Sequence, residues 1–440
     1  MELSRKGFIG AGAAFFATGC ASSALKSGLS AEEEARATAR KSIQGLSEKG
    51  EQLGAGDVAT PWEPFSDKIV RVAIVGEGFC YFGSAFGYQN HPNVEVVACS
   101  DLDPKRCASL QKATGAKRTY PSCEELLAKE REIDAIYIAT DARSHLRLAT
   151  MALKRGLHVV SAVPALLGKN QLDDIPAFLD ALKKSGTVYQ MNETSAFRQS
   201  CYAMRKLYEA GKLGTITYTE GEYFHPHDDN NPDASKGKPR DHFSYGGWRW
   251  GLPPQYYPTH SNGYYTCVTH KRFVSVSCTG VPSLLYPYKD NEYGNPYGSE
   301  YAHFTAEDGS FARMLVAWDT PSFGGEDGRI WGQKGCYVPE KRRPSKDGVN
   351  RASDHYDGWF KDEVAKMNIV RPEPPPGMPG GGHGGSHGYL TDDFIRSILV
   401  KGHKPCVDAI TALNTTVSGI YAHMSAMKGG ETLKIPSFSL

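Results

Sequence analysis

The sequence predicts an α/β domain with a doubly wound parallel sheet, followed by an α+β domain with a large open, mostly antiparallel sheet. From residue 69, short apolar strands alternate with helices, which is typical of a parallel sheet with helices on both faces. Farther along, residues 216–225 alternate polar and apolar side chains like a strand with one solvated face. A length of 440 residues suffices for two domains with sizeable cores.

The strands and helices of the first domain follow one another in a regular order. The predicted strands are IVRVAIVG (69–76), VEVVACSD (94–101), DAIYIAT (134–140), HVVSAVP (158–164) and TVYQMNE (187–193). The predicted helices begin at Asp103-Pro104, at Ser122 and from about Gln171, and they end at glycines such as Gly115, Gly156 and Gly186. These boundaries place the first domain at residues 68–191 and the second at residues 192–440.

A pair of glycines directly after the first strand indicates a dinucleotide site. Gly76 and Gly78 allow a tight turn in which backbone N–H groups approach a pyrophosphate, as in a Rossmann-type sheet. Asp101 ends the second strand, where a carboxylate binds ribose hydroxyls and repels a 2′-phosphate, so NAD is the expected cofactor. Tyr81 stands at the usual place of the third glycine, and Gly83 follows two residues later. The alternative is a glycine-rich turn in a domain that binds no nucleotide.

The first 20 residues are typical of an export signal. Arg5 and Lys6 precede a short apolar run that ends at Cys20 and is too short to span a bilayer. The segment resembles a twin-arginine signal with a lipoprotein cleavage site, so we expect an exported, periplasmic or membrane-anchored protein with a possible lipid anchor at Cys20. An ordinary Sec signal is the alternative. Residues 21–67 are polar and predict a tether.

Composition excludes some classes of function. The formal net charge is +1 with no polybasic block, so nucleic-acid binding has little support. The 10 cysteines are scattered without the spacing of a disulfide framework, and most are expected to be buried thiols.

The segment IATDARSHLRLATMALKRGLHVVSAVP resembles the Gfo/Idh/MocA oxidoreductase family. The resemblance spans roughly residues 68–438 and implies that Thr140, His145 and Pro164 lie at the cofactor. In that family the triplet E-K-P carries a lysine beside the nicotinamide that handles the proton of the substrate hydroxyl. The matching triplet here is Ala162-Val163-Pro164, so a dehydrogenation that uses this lysine is excluded.

The most informative stretch of the second domain is GWRWGLPPQYYPTHSNGYY (247–265). Its aromatic rings and polar groups suit a sugar, because aromatic faces stack on C–H surfaces while polar edges bind hydroxyls. The motif Y-P-T-H, which ends at His260, resembles the NAD-dependent glycosidases of glycoside hydrolase family 109. Those enzymes also have V-P in place of K-P, although they carry a glutamate where Ala162 stands here.

Several side chains are candidates for the site, each with a structural alternative. We expect His260 to be catalytic, with Tyr257, Tyr223 and Glu193 as further acid–base candidates. The expected substrate-binding residues are His225, Trp248, Arg249, Trp250 and His383. His260 could instead be a structural histidine, Tyr257 could simply pack, and the tryptophans could belong to the core. A metal site is not expected, because Gly384 and Gly385 argue against a helix that would align His383 with His387.

Three functions remain open from the sequence. The first is a redox-neutral glycosidase that transiently oxidises a sugar hydroxyl at C3, eliminates the aglycone and adds water. The second is a net glycoside or sugar 3-dehydrogenase, and the third is a sugar-binding protein without activity. In each case the partner is a small sugar or glycoside, and a homo-oligomer through the open sheet is expected from the family resemblance.

Overall fold

The computed structural model describes residues 58–78, 80–226, 247–320, 325–339, 351–378, 380 and 382–440. The predicted export signal, Cys20 and most of the predicted tether lie outside the described residues. Within the described residues, no helix is long and apolar enough to cross a membrane.

The first domain is a six-stranded parallel sheet with the order β3-β2-β1-β4-β5-β6, which confirms the predicted doubly wound fold. Its strands are β1 (Val70–Val75), β2 (Val94–Ser100), β3 (Arg118–Tyr120), β4 (Ala135–Ile138), β5 (His158–Ser161) and β6 (Tyr189–Met191). Its helices are α1 (Phe82–Ala85), α2 (Pro104–Thr114), α3 (Cys123–Lys129), α4 (His145–Lys154) and α5 (Ile175–Ser185). The strand order reverses between β1 and β4, and in such sheets this point opens a crevice at the carboxyl ends of the strands.

The second domain is an eight-stranded sheet with the order β13-β12-β11-β7-β10-β9-β8-β14. Its strands are β7 (Ile216–Phe224), β8 (Phe273–Pro282), β9 (Tyr297–Ala306), β10 (Phe311–Ala317), β11 (Glu326–Gly332), β12 (Gly335–Tyr337), β13 (Tyr356–Gly358) and β14 (Leu433–Lys434). The pairing is antiparallel except between β7 and β10, as expected for a mostly antiparallel sheet. The final strand covers only two residues.

Helices cover one face of this sheet, and the side chains of the other face, called the open face here, are partly exposed along β7 among the described residues. The helices of the second half are α6 (Gln199–Glu209), α7 (Thr259–Thr269), α8 (Lys361–Val364), α9 (His387–Leu399) and α10 (Ala409–Ala426). Along β7 the buried side chains Thr219 and Tyr223 alternate with partly exposed ones such as Tyr218 and Glu220. Tyr223 therefore faces α7, and this alternation brings the sheet and the helix together around the candidate site.

The carboxyl-terminal segment packs on the first domain. Leu390, Phe394 and Ile395 of α9 share a hydrophobic cluster with Val70 and Val72 of β1. The chain therefore returns to the amino-terminal sheet after it has formed the second sheet. This brings the start of α9 close to the loop that follows β1, residues 76–81, which is called the glycine loop below.

Candidate active site

The glycine loop follows the carboxyl end of β1. Glycines are required in and directly after this loop by positive φ angles or by close contacts with neighbouring atoms. Gly76 has φ +89°, and a Cβ atom on it would lie 2.8 Å from the backbone carbonyl of Ala139. Gly78 is also left-handed, with φ +62°. Gly83 lies inside α1, where a Cβ would come within 2.3 Å of the Gly76 carbonyl oxygen. Gly83 thus allows the close packing of helix on strand that the third glycine supplies in this fold.

Asp101 closes the other side of this loop. One of its carboxylate oxygens accepts the N–H of Glu77 at 2.9 Å, while the other accepts the N–H of Asp103 at 2.8 Å. The second oxygen also accepts a hydrogen bond from Nε of Arg106 at 3.2 Å. Asp101 therefore holds the glycine loop as well as presenting a carboxylate at the end of β2.

A cavity of about 460 Å³ runs from this loop to the second domain. The end of the cavity next to the glycine loop includes Asp101. The other end is formed by Ala162, Val163, Trp248, Arg249 and Tyr257. The left-handed glycines, the close approach at Gly76 and the carboxylate at the strand end fit a dinucleotide that lies across the switch point. We assign this cavity to NAD.

Of the three family-implied cofactor residues, only Thr140 lines the cavity. His145 lies behind it, 1% exposed, with its ring between the carbonyl oxygens of Pro164 and Thr140 at 2.8 and 3.1 Å. Burial lowers the pKa of His145, so the ring is neutral and donates one of these bonds. The Val163–Pro164 peptide bond is cis. The histidine therefore ties the loop after β5 to the end of β4, and Val163 rather than Pro164 faces the cavity.

The centre of the site is a buried pair of Glu193 and His260. The carboxylate Oε1 of Glu193 lies 2.9 Å from Nδ1 of His260, and the two side chains are 0% and 3% exposed. Oε1 also accepts the backbone N–H of Ser195 at 2.8 Å. Burial opposes charge on both groups, but their mutual attraction lowers the pKa of Glu193 and raises that of His260. The pair therefore has the geometry of an imidazole base whose ring is fixed by a carboxylate.

A second buried ion pair supports the first one. Arg198 donates through two nitrogens to both carboxylate oxygens of Glu326, at 2.7 and 2.8 Å. Ser195 Oγ lies within hydrogen-bond distance of both Glu326 and the carbonyl oxygen of His260, and its single proton is donated between these two acceptors. The ligand atoms of Glu193, His260 and Glu326 lie within 4.8 Å of one another, as in a metal site. Because Arg198 and Ser195 already satisfy Glu326, the cluster fits an ion-pair network better than a cation.

The two candidate tyrosines pack around His260. The ring centroids of Tyr223 and Tyr257 lie 4.6 and 5.5 Å from that of His260. Burial raises the pKa of both phenols above their ordinary value, so both remain protonated and donate hydrogen bonds. Arg249 lies over the Tyr257 ring at 4.1 Å and over the Trp248 ring at 4.8 Å, which builds one wall of the cavity.

The remaining substrate-site candidates divide into two groups. His225 lies beside Tyr223, with ring centroids 5.8 Å apart, and burial lowers its pKa to about 4. His383 stacks on His260, with ring centroids 5.9 Å apart. Trp250 instead is 4% exposed and donates from its indole N–H to the carbonyl oxygen of Asp290 at 2.9 Å, outside the cavity lining.

Comparisons with known proteins agree with this architecture. Residues 70–193 match the model of the oxidoreductase family with an NAD-binding Rossmann fold, named GFO_IDH_MocA. A glycosyl hydrolase family 109 protein of Bacteroides fragilis is 29% identical over 180 residues, which cover 39% of this chain and 38% of that protein. The chain thus spans well under two thirds of this relative's length. A glycosyl hydrolase family 109 protein of Streptomyces niveus is 23% identical over 410 residues, covering 86% and 79%.

Solved structures share the fold over most of the chain at low identity. The scyllo-inositol dehydrogenase of Lactobacillus casei, solved with NAD(H) and scyllo-inositol, has a TM-score of 0.60 and 17% identity, covering 83% of this chain and 99% of that one. The WlbA dehydrogenase of Bordetella pertussis, solved with NADH and UDP-GlcNAcA, has a TM-score of 0.61 and 18% identity, covering 85% and 99%.

These findings define an NAD-binding protein of two domains, with a Rossmann domain followed by an open sheet. Residues 70–193 are similar to the Gfo/Idh/MocA oxidoreductase family, and the chain is similar to proteins named as glycosyl hydrolase family 109.

Proposed function

We propose that this protein is an NAD-dependent enzyme that cleaves a glycoside without net oxidation or reduction. The observation that carries the proposal is the buried Glu193–His260 pair. It lies outside the cavity lining and packs against Tyr257, which lines the cavity together with Val163, the residue at the position of the family lysine. When bound, NAD would supply a reversible hydride acceptor for a ring hydroxyl carbon. A ketone at C3 acidifies the neighbouring C–H bond, which permits elimination of the aglycone and later addition of water.

The roles of the protein groups follow from their environments. His260, held through Nδ1 by Glu193, takes the proton of the reacting hydroxyl at Nε2. Tyr223 and Tyr257 stay protonated and orient substrate oxygens by donating hydrogen bonds. Trp248 supplies an aromatic face in the cavity lining on which a sugar ring can stack.

The loss of the lysine supports this assignment of the base. Val163 is 8% exposed and lines the cavity together with Ala162, and neither side chain carries a proton. An ammonium at this buried position would need a carboxylate partner, and Ala162 offers none. Proton transfer is therefore assigned to the wall formed by the second domain.

A net glycoside or sugar 3-dehydrogenase is the second candidate. It would use the same residues and differ only in the fate of the hydride, and the similar solved structures are named as dehydrogenases. A sugar-binding protein without activity is the third candidate. The fully buried carboxylate–imidazole pair argues against it, because buried ionisable pairs with shifted pKa values are concentrated at catalytic sites.

Export is part of the proposal. A cycle that returns its hydride needs no regeneration of the cofactor outside the cytoplasm. This suits a protein that is exported with its cofactor bound, whether it is periplasmic or anchored through Cys20.

The test begins with the purified protein and no added cofactor. We expect denatured protein to release NAD, identified by mass spectrometry, and the native protein to cleave one of a panel of aryl glycosides. His260→Ala should retain NAD and lose about two to four orders of magnitude in turnover, the usual size of acid–base catalysis. Sugar oxidation only with added NAD, and no aglycone release, would instead identify a net dehydrogenase.

A further inference from the structure

The two sides of the cavity are joined by a loop of the second domain that the proposed function does not use. On the side of the first domain, the lining includes Ala142 and Ser144, which flank Arg143 between β4 and α4. On the side of the second domain, the lining includes residues 247–249. The loop between β8 and β9, residues 283–296, contacts both sides and is called the β8–β9 loop below.

A chain of hydrogen bonds crosses from one side to the other through Tyr293 of this loop. Nη2 of Arg143 donates to the phenol oxygen of Tyr293 at 3.2 Å, and the phenol donates to the backbone carbonyl oxygen of Trp248. The guanidinium of Arg143 also pairs with Glu292. Burial raises the pKa of Tyr293 to about 12, so the phenol keeps the proton that it donates. The chain Arg143–Tyr293–Trp248 is called the clasp below.

Further hydrogen bonds fix the residues that form the clasp. In the first domain, Gln171 donates to the carbonyl oxygen of Arg143 at 2.5 Å and accepts the N–H of Leu167 at 2.7 Å. In the β8–β9 loop, the side-chain oxygen of Asn291 accepts the N–H of Tyr293 at 3.1 Å. The clasp therefore joins two segments that are each held by their own domain.

The segment at residues 247–251 is bound to the same loop at a second point. Trp250 donates from its indole N–H to the carbonyl oxygen of Asp290 at 2.9 Å. Gly251 has φ +64°, and a Cβ atom on it would come within 2.4 Å of the carbonyl oxygen of Pro287, so a glycine is needed for this close approach. The β8–β9 loop therefore holds the segment twice, through the clasp and through Trp250.

We propose that Arg143 and Tyr293 are positioning residues that hold the two domains together over bound NAD and thereby slow its exchange with free dinucleotide. Among the described residues, the second domain lines the cavity only through residues 247–249 and Tyr257, so a movement of this segment away from the first domain uncovers the cofactor. The side chains of Arg143 and Glu292 are 43% and 51% exposed, and such a pair is weak enough to open in water. The inference rests on the assignment of the cavity to NAD and goes beyond the proposed cleavage of a glycoside.

The experiment follows the exchange of bound NAD in the absence of any substrate. The purified holoprotein is mixed with an excess of isotopically labelled NAD, and mass spectrometry of denatured samples gives the labelled fraction over time. Tyr293→Phe keeps the ring that packs against Tyr256, with ring centroids 6.3 Å apart, and removes the hydroxyl. We expect exchange to become roughly 5–10-fold faster in this variant, the effect of one or two lost hydrogen bonds.

A double variant distinguishes one clasp from two unrelated contacts. Arg143→Ala should accelerate exchange by a similar factor. Adding it to Tyr293→Phe should cause little further change, because either substitution already breaks the same chain of hydrogen bonds. Since the Arg143 side chain is 43% exposed, its replacement tests the inference even if Tyr293→Phe does not fold.

Two further variants serve as controls. Arg71→Ala matches Arg143→Ala, because Arg71 is also 43% exposed and pairs with Asp134 at 2.7 Å, but it does not line the cavity. Tyr297→Phe matches Tyr293→Phe, because the phenol of Tyr297 also donates to a backbone carbonyl oxygen, that of Ala426, at 3.2 Å. Both controls should exchange NAD at the parent rate.

The outcomes separate this inference from the proposed function. Exchange at the parent rate in Tyr293→Phe or in Arg143→Ala overturns the clasp, and so do factors that multiply in the double variant or an equal acceleration in the controls. A parent protein that binds no NAD also overturns it. Absence of glycoside cleavage overturns the proposed function alone, since exchange is measured without a glycoside.

Discussion

At the scale of single residues, the charge of His260 depends on its neighbours. Burial alone would lower its pKa, but the carboxylates of Glu193 and Glu326 raise it above the ordinary value of 6.5. A base acts only when unprotonated, so kcat/KM should fall as the pH drops through this raised pKa. In Glu193→Gln the carboxylate is gone and burial dominates, which should move the acidic limb to lower pH. Because the base is also weaker and less well oriented, turnover at pH 8 should fall roughly 100-fold.

The check is a pH–rate profile of the parent protein and Glu193→Gln, measured with the same glycoside. Asp393→Asn is a suitable control, since Asp393 also bonds a histidine, His403, at 2.7 Å but does not belong to the cluster of Glu193, His260 and Glu326. Its profile should match that of the parent protein. An acidic limb that stays in place in Glu193→Gln would show that His260 is not the base.

At the scale of elements, the turn from β1 to α1 depends on a close backbone approach. Gly76→Ala should lower the melting temperature and abolish NAD retention, because its Cβ would press on the carbonyl of Ala139 at 2.8 Å. Gly115→Ala is the matched control: Gly115 also has positive φ, but nothing lies within 4 Å of its added Cβ. That substitution should cost only about 1–2 kcal/mol of conformational strain and leave NAD bound. Equal NAD content in the two variants would contradict this account of the glycine loop.

Local signals in the sequence were enough to predict the parallel strands and to select Glu193 and His260 as candidates for one site. The neighbours Arg198 and Glu326 were missed, because their contact joins residues 128 apart in the chain and follows only from the packing of the start of α6 against the start of β11. His387 was considered only as a metal ligand. Nothing in its local sequence indicates that its Nδ1 lies 3.2 Å from the carbonyl oxygen of Ala85, which is 302 residues away in the chain. Trp250 was expected to bind the substrate, because the sequence does not show whether an indole N–H will meet a ligand or, as here, a protein carbonyl oxygen.

At the scale of the whole molecule, the open face of the second sheet carries a row of aromatic side chains that are exposed or partly exposed among the described residues. Tyr218 stacks on Phe311 and on Trp331, with ring centroids 5.9 and 5.3 Å apart, so the row crosses three neighbouring strands. Phe311 is 44% exposed. Beside the row, Glu220 forms ion pairs with Arg313 and Arg329. An apolar strip next to paired charges is typical of an interface between protein chains.

We therefore expect this face to be buried against a second copy of the chain, as the family resemblance implies. Phe311→Arg places a positive charge in the centre of the strip. In a dimer through this face, the two arginines would repel each other or each would lose its hydration, so association should weaken. Light scattering on a sizing column should show a smaller particle for this variant, while NAD content and melting temperature of the subunit change little. Met427→Arg is the control, because Met427 is 48% exposed at the end of α10, away from the strip, and should leave the mass unchanged. A monomeric parent protein, or an unchanged mass in Phe311→Arg, would exclude this face as the oligomer contact.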